Sequence, residues 1–546
     1  MKKKAFLALI LSCVMLLSTV TACQTPGGAQ SGVLPSHVTP ENILPWTGEK
    51  VTFRGFGSDL GVNEDPNAPV AAMIQEMIGN VEIIWELVPH ADRPARMSLY
   101  LSSGDLPDFM WASVRGDIIN PGFGDFGMFL DFNNYLEFMP HFNYMAEYAA
   151  AAHIFQNAAG ELIAIPSIDN DYFGESFFAN MDVLDRFGLE IPTTLAEMEA
   201  AMEIISAGDP DIIPFHTYWR LPYYKTIFAI IMGIQAPVGG TFWCHDAGEW
   251  RNHLIDDEDY KSLIALLADY NERGFFHPEF MTMTDDQTKV IMASGNWAFT
   301  HAYIVEPNQW LGLQVSDNNP PINIVPFLTP ALNSEMTPLI RFNYFSDNPG
   351  WGYAARADVH YPELLAAVLD VVYSVEVSTA YQWGIEGESF YIDEGGNKQW
   401  LPEFLELGQQ GRRDMGIWNT LLPRFVTWRD DLSDVRGMAN YKQDAFRMNS
   451  EAVINGDLLA LYPPIAPRFT EAQREENALI NTPTNTVRDE WIMQIVAGQR
   501  PMSDWDAMKA AVMAAGNLQR VVDNFNNATP DPFVRPTSAE RHYLIP

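Results

Sequence analysis

The chain has 546 residues, of which 47% are hydrophobic, and its 33 Lys and Arg against 70 Asp and Glu give a formal charge of −37. That length exceeds the size at which a single core stops growing, so two or more lobes are expected. The acidic balance speaks against a nucleic-acid partner, because phosphate binding needs Lys and Arg to neutralise the backbone, and a solvated surface is the preferred reading of the charge.

Residues 1–22 read as an export signal. Lys2, Lys3 and Lys4 precede an apolar run over 5–17 that is short for a bilayer span, and Val20-Thr21-Ala22-Cys23 resembles a bacterial lipobox. Cys23 is then the acylated first residue of the mature protein and its membrane anchor. Cys13 is a poor rival, since it would halve the apolar run and put Leu11 where a small residue is preferred. Cleavage removes three lysines and no acids, which moves the formal charge from −37 to −40. Cys244 is the one thiol left, so no intramolecular disulfide is available and the fold must rely on its cores. An extracellular, lipid-anchored setting on a Gram-positive membrane follows as an expectation.

Residues 23–43, with Gly27-Gly28, Ser31-Gly32 and Pro35, read as a flexible tether. A strand over 51–56, an apolar-periodic helix over 70–78 and a strand over 81–88 predict a right-handed parallel unit. A helix over 93–102 closed by Gly104, then a strand over 109–111, continue an α/β pattern with ligand-facing loops at the carboxyl ends of its strands. The apolar stretch 226–236 fits a buried strand or helix, too short to span a membrane. Thr194-Leu-Ala-Glu197 is a capping box ahead of Leu195, Met198, Met202 and Ile205 on one helical face. Tyr260, Leu263, Ile264, Leu267 and Tyr270 form a stripe ending before Gly274, and Ser503-Asp-Trp-Asp506 caps a last helix ending near Gly516. Residues 317–350, dense in Pro and Asn, predict an irregular crossing with short strands.

Five segments in sequence order carry a family resemblance. They are Ser103-Gly104-Asp105-Leu106-Pro107-Asp108; the hairpin Asn157 to Pro166; Phe178 to Asp185 running on to Pro192; Trp383-Gly-Ile-Glu-Gly387-Glu-Ser-Phe-Tyr391 with Gly395-Gly396-Asn397; and Val496-Ala-Gly-Gln-Arg-Pro501 to Trp505. Together they resemble the extracellular solute-binding lipoproteins of carbohydrate ABC transporters, in the large LipO-like and alginate-binding-like subgroup. The resemblance implies an α/β, two-lobed, hinged periplasmic-binding-protein-like fold of type II, each lobe a mixed sheet flanked by helices. It implies lobe 1 over 44–165 plus about 296–345, and lobe 2 over 166–295 plus about 346–546. Partners implied are an oligosaccharide and the permease subunits of an ABC transporter, with the protein a monomer needing no cofactor. One departure concerns calcium. Where many members carry an Asp/Asn/Gly-rich loop, Ala207 to Pro214 is short and lacks the oxygen ligands, while Asp169-Asn-Asp171 is followed by Phe173 and Asn180 at positions an EF-hand would fill differently, so no metal is expected.

Sugars present apolar C–H faces rimmed by hydroxyls, so a cleft for them needs flat aromatic platforms and convergent polar groups. The candidates are Trp111 and Trp297 from one lobe and Trp219, Trp351 and Tyr391 from the other, with Tyr218 beside Trp219 and with Asp59, Arg220 and Glu388 bonding hydroxyls. The plainer reading of any tryptophan is core packing; flanking glycines favour the loop reading for Trp297 and Trp351. The rival class is a secreted glycoside hydrolase or polysaccharide lyase using Glu386 and Glu388 as an acid/base pair. No H-E-x-x-H, G-x-S-x-G or P-loop is present, and Trp243-Cys244-His245 with His253 matches no zinc spacing. Binding without a catalytic residue is therefore the expectation.

Overall fold

A computed structural model describes residues 34–529 other than 59–64, 66, 90–91, 120–122, 147–154, 158, 167–174, 218–219, 235–238, 257, 305–306, 308–321, 334, 341–350, 397, 418–421, 423–439, 460–466 and 468. The signal segment and Cys23 lie outside the described residues. Strand β1 (Trp46–Ser58) alternates buried Val51 and Phe53 with exposed Thr52 and Arg54, the period of a sheet with one face on a core. The helix Pro69–Ile78 has proline in its first turn and buries Val70, Ile74 and Ile78 on one stripe, each worth about 1.5–3 kcal/mol. Gly79, with φ of 74°, turns the chain into β2 (Gly79–Val88); a Cβ there would lie 2.5 Å from the carbonyl oxygen of Trp46. β1 and β2 pair in parallel, Val51 opposite Val81. The helix Arg93–Ser103 then ends on left-handed Gly104, ahead of β3 (Phe109–Ser113).

The first sheet has the order β2-β1-β3-β11-β4, with β4 spanning only Ile165–Pro166 and β11 Trp351–Ala355. The second has the order β10-β5-β9-β6, built from β5 (Glu175–Asn180), β6 (Ile213–Phe215), β9 (Trp297–Tyr303) and β10 (Ile324–Phe327). Two hairpins stand apart: β7 (Thr241–Cys244) with β8 (Glu249–Asn252), and β12 (Phe390–Ile392) with β13 (Lys398–Trp400). Each large sheet has its own core. Phe53, Phe56, Phe109, Tyr353 and the helices Pro362–Asp370 and Val375–Trp383 fill the first. Phe177, Phe215, Phe228, Tyr260, Tyr270 and the helix Glu471–Val496 fill the second, and a satellite cluster holds Phe178, Trp297 and Ile324.

Pairing corrects the expected division of the chain. Residues 296–345 were expected with the first lobe, yet β9 and β10 flank β5 in the second sheet. Residues from 346 onward were expected with the second lobe, yet β11 lies between β3 and β4, and the packing through Ile417 and Leu422 belongs to the first core. The physical reason is that a five-residue strand finds its partner through non-local hydrogen bonds, which no local pattern announces. The chain returns to the second body with the helix Asn440–Asn455, whose Ala445 and Ala452 pack in the satellite cluster.

Thr194 caps the helix Leu195–Gly208 with the full capping box. Residues 226–231 fall in the helix Arg220–Ile231, buried nearly all round. The helix Trp505–Ala515 follows a 3-10 turn with no side-chain cap, and it is not the last, since Leu518–Asn527 succeeds it. No single helix among the described residues is long and apolar enough to cross a membrane.

Candidate functional site

In an α/β sheet, ligands bind outside the carboxyl ends of the parallel strands. In the first sheet that edge holds Ser58 and Ser113 at the ends of β1 and β3, Trp351 opposite Ser113, and Pro166 opposite Gly352. A Cβ on Gly352 would lie 2.5 Å from the carbonyl oxygen of Ile165, so the close seating of β4 requires glycine there. In the second sheet the corresponding edge holds Phe215, Tyr303 and, opposite Tyr303, Glu175. Pro166 on one edge and Glu175 on the other are nine positions apart in the sequence.

A buried polar network lies at the second edge. Glu175, His216, Thr217 and His301 are each no more than 2% exposed. The His301 Nδ1 lies 3.1 Å from the Tyr223 hydroxyl and 3.8 Å from Glu175 Oε2, the Thr217 hydroxyl donates to the His301 carbonyl, and Asn449 donates to the Glu175 carbonyl at 3.1 Å. Beside it, Thr217 N–H donates to the Tyr224 hydroxyl, which sits 3.3 Å from His216 Nδ1. Donation from that hydroxyl to Nδ1 places the imidazole proton on Nε2, which is buried without a hydrogen-bond partner. Burial, with His277 nearby as a smaller cause, pushes His216 down to about 3, so the ring is neutral. Burial likewise raises the Tyr224 hydroxyl. The network fixes the start of β5, the end of β6 and β9 relative to one another. These residues were not legible as site components. The signal available was His216-Thr217 directly after a short apolar strand, and a histidine inside the otherwise apolar β9.

The sequence candidates divide. Asp59, Tyr218 and Trp219 lie outside the described residues, immediately after β1 and β6 respectively. Trp351 begins β11 on the first edge. Arg220 is exposed at the start of its helix with φ of 61°, unusual for a non-glycine, and its Nε donates to the Met283 carbonyl at 3.0 Å. Two assignments need correction. Trp297 is 0% exposed at the amino end of β9, the end away from the candidate edge, and its indole N–H donates to the Met292 carbonyl at 2.9 Å. Trp111 is 3% exposed, with its ring edge-on to Tyr353 at 5.2 Å. Both are packing residues in this conformation, because the alternation of their strands points them into cores. Trp111 and Trp351 also share the first sheet, while Trp297 belongs to the second, so the expected grouping of the tryptophans is rearranged. Glu388, in the turn before β12, and Tyr391, in β12, are both exposed; the β12-β13 hairpin packs on the first core through Phe390 and Trp400.

The described residues contain no cluster of three or more His, Cys, Asp or Glu able to hold a metal. In the shortened loop, Asp209 accepts from Arg186 at 2.7 Å and from the Asp211 N–H at 3.1 Å, so its carboxylate is held by a guanidinium and a backbone turn. Asn180 donates to the carbonyls of Gly295 and Trp297, at 2.9 and 3.0 Å.

Comparison with solved structures places this architecture. The alginate-binding protein AlgQ2 without calcium ion superposes with a TM-score of 0.71 at 16% identity, covering 88% of this chain and 98% of that one. The fold is that of the solute-binding proteins. An "HMO binding" ABC-transporter-associated solute-binding protein of Bifidobacterium longum infantis gives 0.64 at 15% identity over 88% and 98% of the two chains. The Streptococcus pneumoniae substrate-binding protein FusA in complex with kestose gives 0.64 at 16% identity over 87% and 99%. No protein-family model and no curated relative matches the chain. The solute-binding fold is thus shared over 87–88% of this chain at 15–16% identity.

Proposed function

We propose that this protein captures an oligosaccharide between its two lobes and delivers it to the permease of an ABC transporter. The observation that carries the reading is the placement of two carboxyl sheet edges nine positions apart in sequence, at Pro166 and Glu175, in a fold shared over nearly the whole length with an alginate-binding protein, an "HMO binding" protein and a protein solved with kestose. Lobes joined in this way sample open and closed forms, and a ligand that touches both edges draws the population toward closure. A permease then recognises the closed shape.

Asp59, Tyr218, Trp219, Arg220 and Trp351, which follow or begin strands at these edges, supply the ligand contacts in this reading. Acylation of Cys23 anchors the monomer outside the cell. The role is binding without turnover: Glu386 and Glu388 are both exposed on one turn, where neither is desolvated as a general acid needs to be. Incubation of the purified protein with alginate, fructan, N-glycan and milk oligosaccharides tests the proposal. A ligand-dependent rise in melting temperature with the sugar recovered intact is expected, about 2.7 kcal/mol of stabilisation at a hundredfold excess over Kd. Cleaved products, or no response to any glycan class, overturn it.

A further inference from the structure

A cavity lies in the second body, between the β7-β8 hairpin and the helices Glu471–Val496, Trp505–Ala515 and Leu518–Asn527. Its volume is about 300 Å³, at the lower end of small-molecule sites and suited to one ring rather than a chain. One wall is polar. Asn481, Asn485 and Arg488 lie on a single stripe of the long helix, at spacings of four and three, and line the cavity together with Thr241 and Asn252. The apolar part of the lining is Leu254, Val512, Leu518 and Phe525.

The polar wall is electrically quiet. Arg488 is held by Asp489 through two hydrogen bonds, at 2.8 and 3.1 Å, and donates its remaining nitrogen to the Gly239 carbonyl, so its charge is matched within the protein. Asn481 is half-buried and Asn485 exposed, so both carboxamides line the cavity within reach of solvent. Behind Gly239, which lines the cavity, the Tyr260 hydroxyl is buried with no hydrogen-bond partner; a Cβ on Gly239 would lie 2.5 Å from it. A lining that combines apolar side chains with carboxamides and a hydroxyl, its one guanidinium paired with Asp489, is the complement of a small neutral ring with C–H faces and a hydroxyl rim. The protein's net charge of −37 further disfavours an anion.

We infer that this cavity is a second binding site, for a neutral polyhydroxylated ring of monosaccharide or cyclitol size, separate from the proposed capture of a chain between the lobes. Its validity does not depend on that capture. Calorimetry on the full chain with D-glucose, N-acetyl-D-glucosamine and myo-inositol tests it, with sodium acetate as the anionic counter-probe. At least one neutral ring saturates with Kd on the order of 1–10 mM. Asn481→Ala and Asn485→Trp, the second at an exposed rim position that leaves the core intact, each weaken it by about tenfold or more. Unchanged melting of both variants shows that they fold, and an unchanged response to oligosaccharide shows that the two sites are distinct. Failure of all three rings to saturate, affinity unchanged in both variants, or tighter binding of acetate than of any ring overturns the inference.

Discussion

Arg474 and Asp125, 349 residues apart in sequence, form an ion pair that ties the two bodies together. Arg474 stands in the first turn of the helix Glu471–Val496, packed in the second core, while Asp125 ends a 3-10 turn against Ile163 of the first. The side chains are 17% and 24% exposed, and Arg474 also donates to the Phe469 carbonyl at 2.9 Å. Removing one partner strands a partly buried charge, so Asp125→Ala and Arg474→Ala each cost about 1–3 kcal/mol in urea unfolding. Reversing both charges together recovers most of the loss. A loss that is not recovered by the double reversal assigns the cost to something other than the pair.

The tryptophans separate by role. Trp297→Ala removes a fully buried indole and its hydrogen bond, and is expected to destabilise by about 3–5 kcal/mol. Trp219→Ala leaves the melting temperature of the free protein nearly unchanged and weakens oligosaccharide binding tenfold or more, by about 1–3 kcal/mol of lost stacking. Equal binding by Trp219→Ala and wild type removes Trp219 from the site.

Acid acts through His216. Its folded-state value of about 3 lies below the ordinary 6.5, so the unfolded chain takes up a proton that the folded one refuses. Stability is therefore lost as pH falls from about 6.5 toward 3, by about 1.4 kcal/mol per pH unit at the full slope. Between pH 6.5 and 5 the wild type loses about 2 kcal/mol more than His216→Phe does. Parallel pH profiles for the two proteins contradict this assignment.

Asp370 carries the opposite slope. Its carboxylate accepts from the N–H groups of His141 and Phe142, at 3.1 and 2.8 Å, capping the helix Pro140–Ala146 from across the first core. Burial nevertheless outweighs these bonds and pushes it up to about 7. The unfolded carboxyl ionises near pH 4 and the folded one near 7, so stability declines as pH rises through that window. Asp370→Asn keeps one acceptor and abolishes the titration, and it gains on the wild type by up to about 1.4 kcal/mol per unit from pH 4 to 7. A difference between the two that stays constant over this range contradicts the shift.

Local grammar was readable where a single element supplies its own signal. The capping box at Thr194, the stripe from Tyr260 to Tyr270 and the glycine stop at Gly104 all form as their spacing predicts. The long helix Glu471–Val496 was not legible, since Pro483 interrupts it and its polar face carries Asn and Thr residues with low helical propensity. Strand partnership failed for the same kind of reason at larger scale: β11 and β9 are short and apolar, and which sheet receives them is decided by hydrogen bonds to distant residues. At the site, sequence position named residues that follow strands, such as Asp59 and Trp219, and both lie outside the described residues. It misjudged Trp111 and Trp297, because flanking residues report a turn nearby and not the direction of a ring within a strand.

The alternation of the chain between its two sheets has a bearing on how the molecule can fail. The first body is assembled from residues before 167 and from 351 onward, the second from the segment between them and from the final helices. No single cut in the backbone releases either half as a continuous piece. A protease that nicks one surface loop leaves both bodies threaded through the remaining passages, and truncation from the carboxyl terminus strips helices from the second body while the first stays whole.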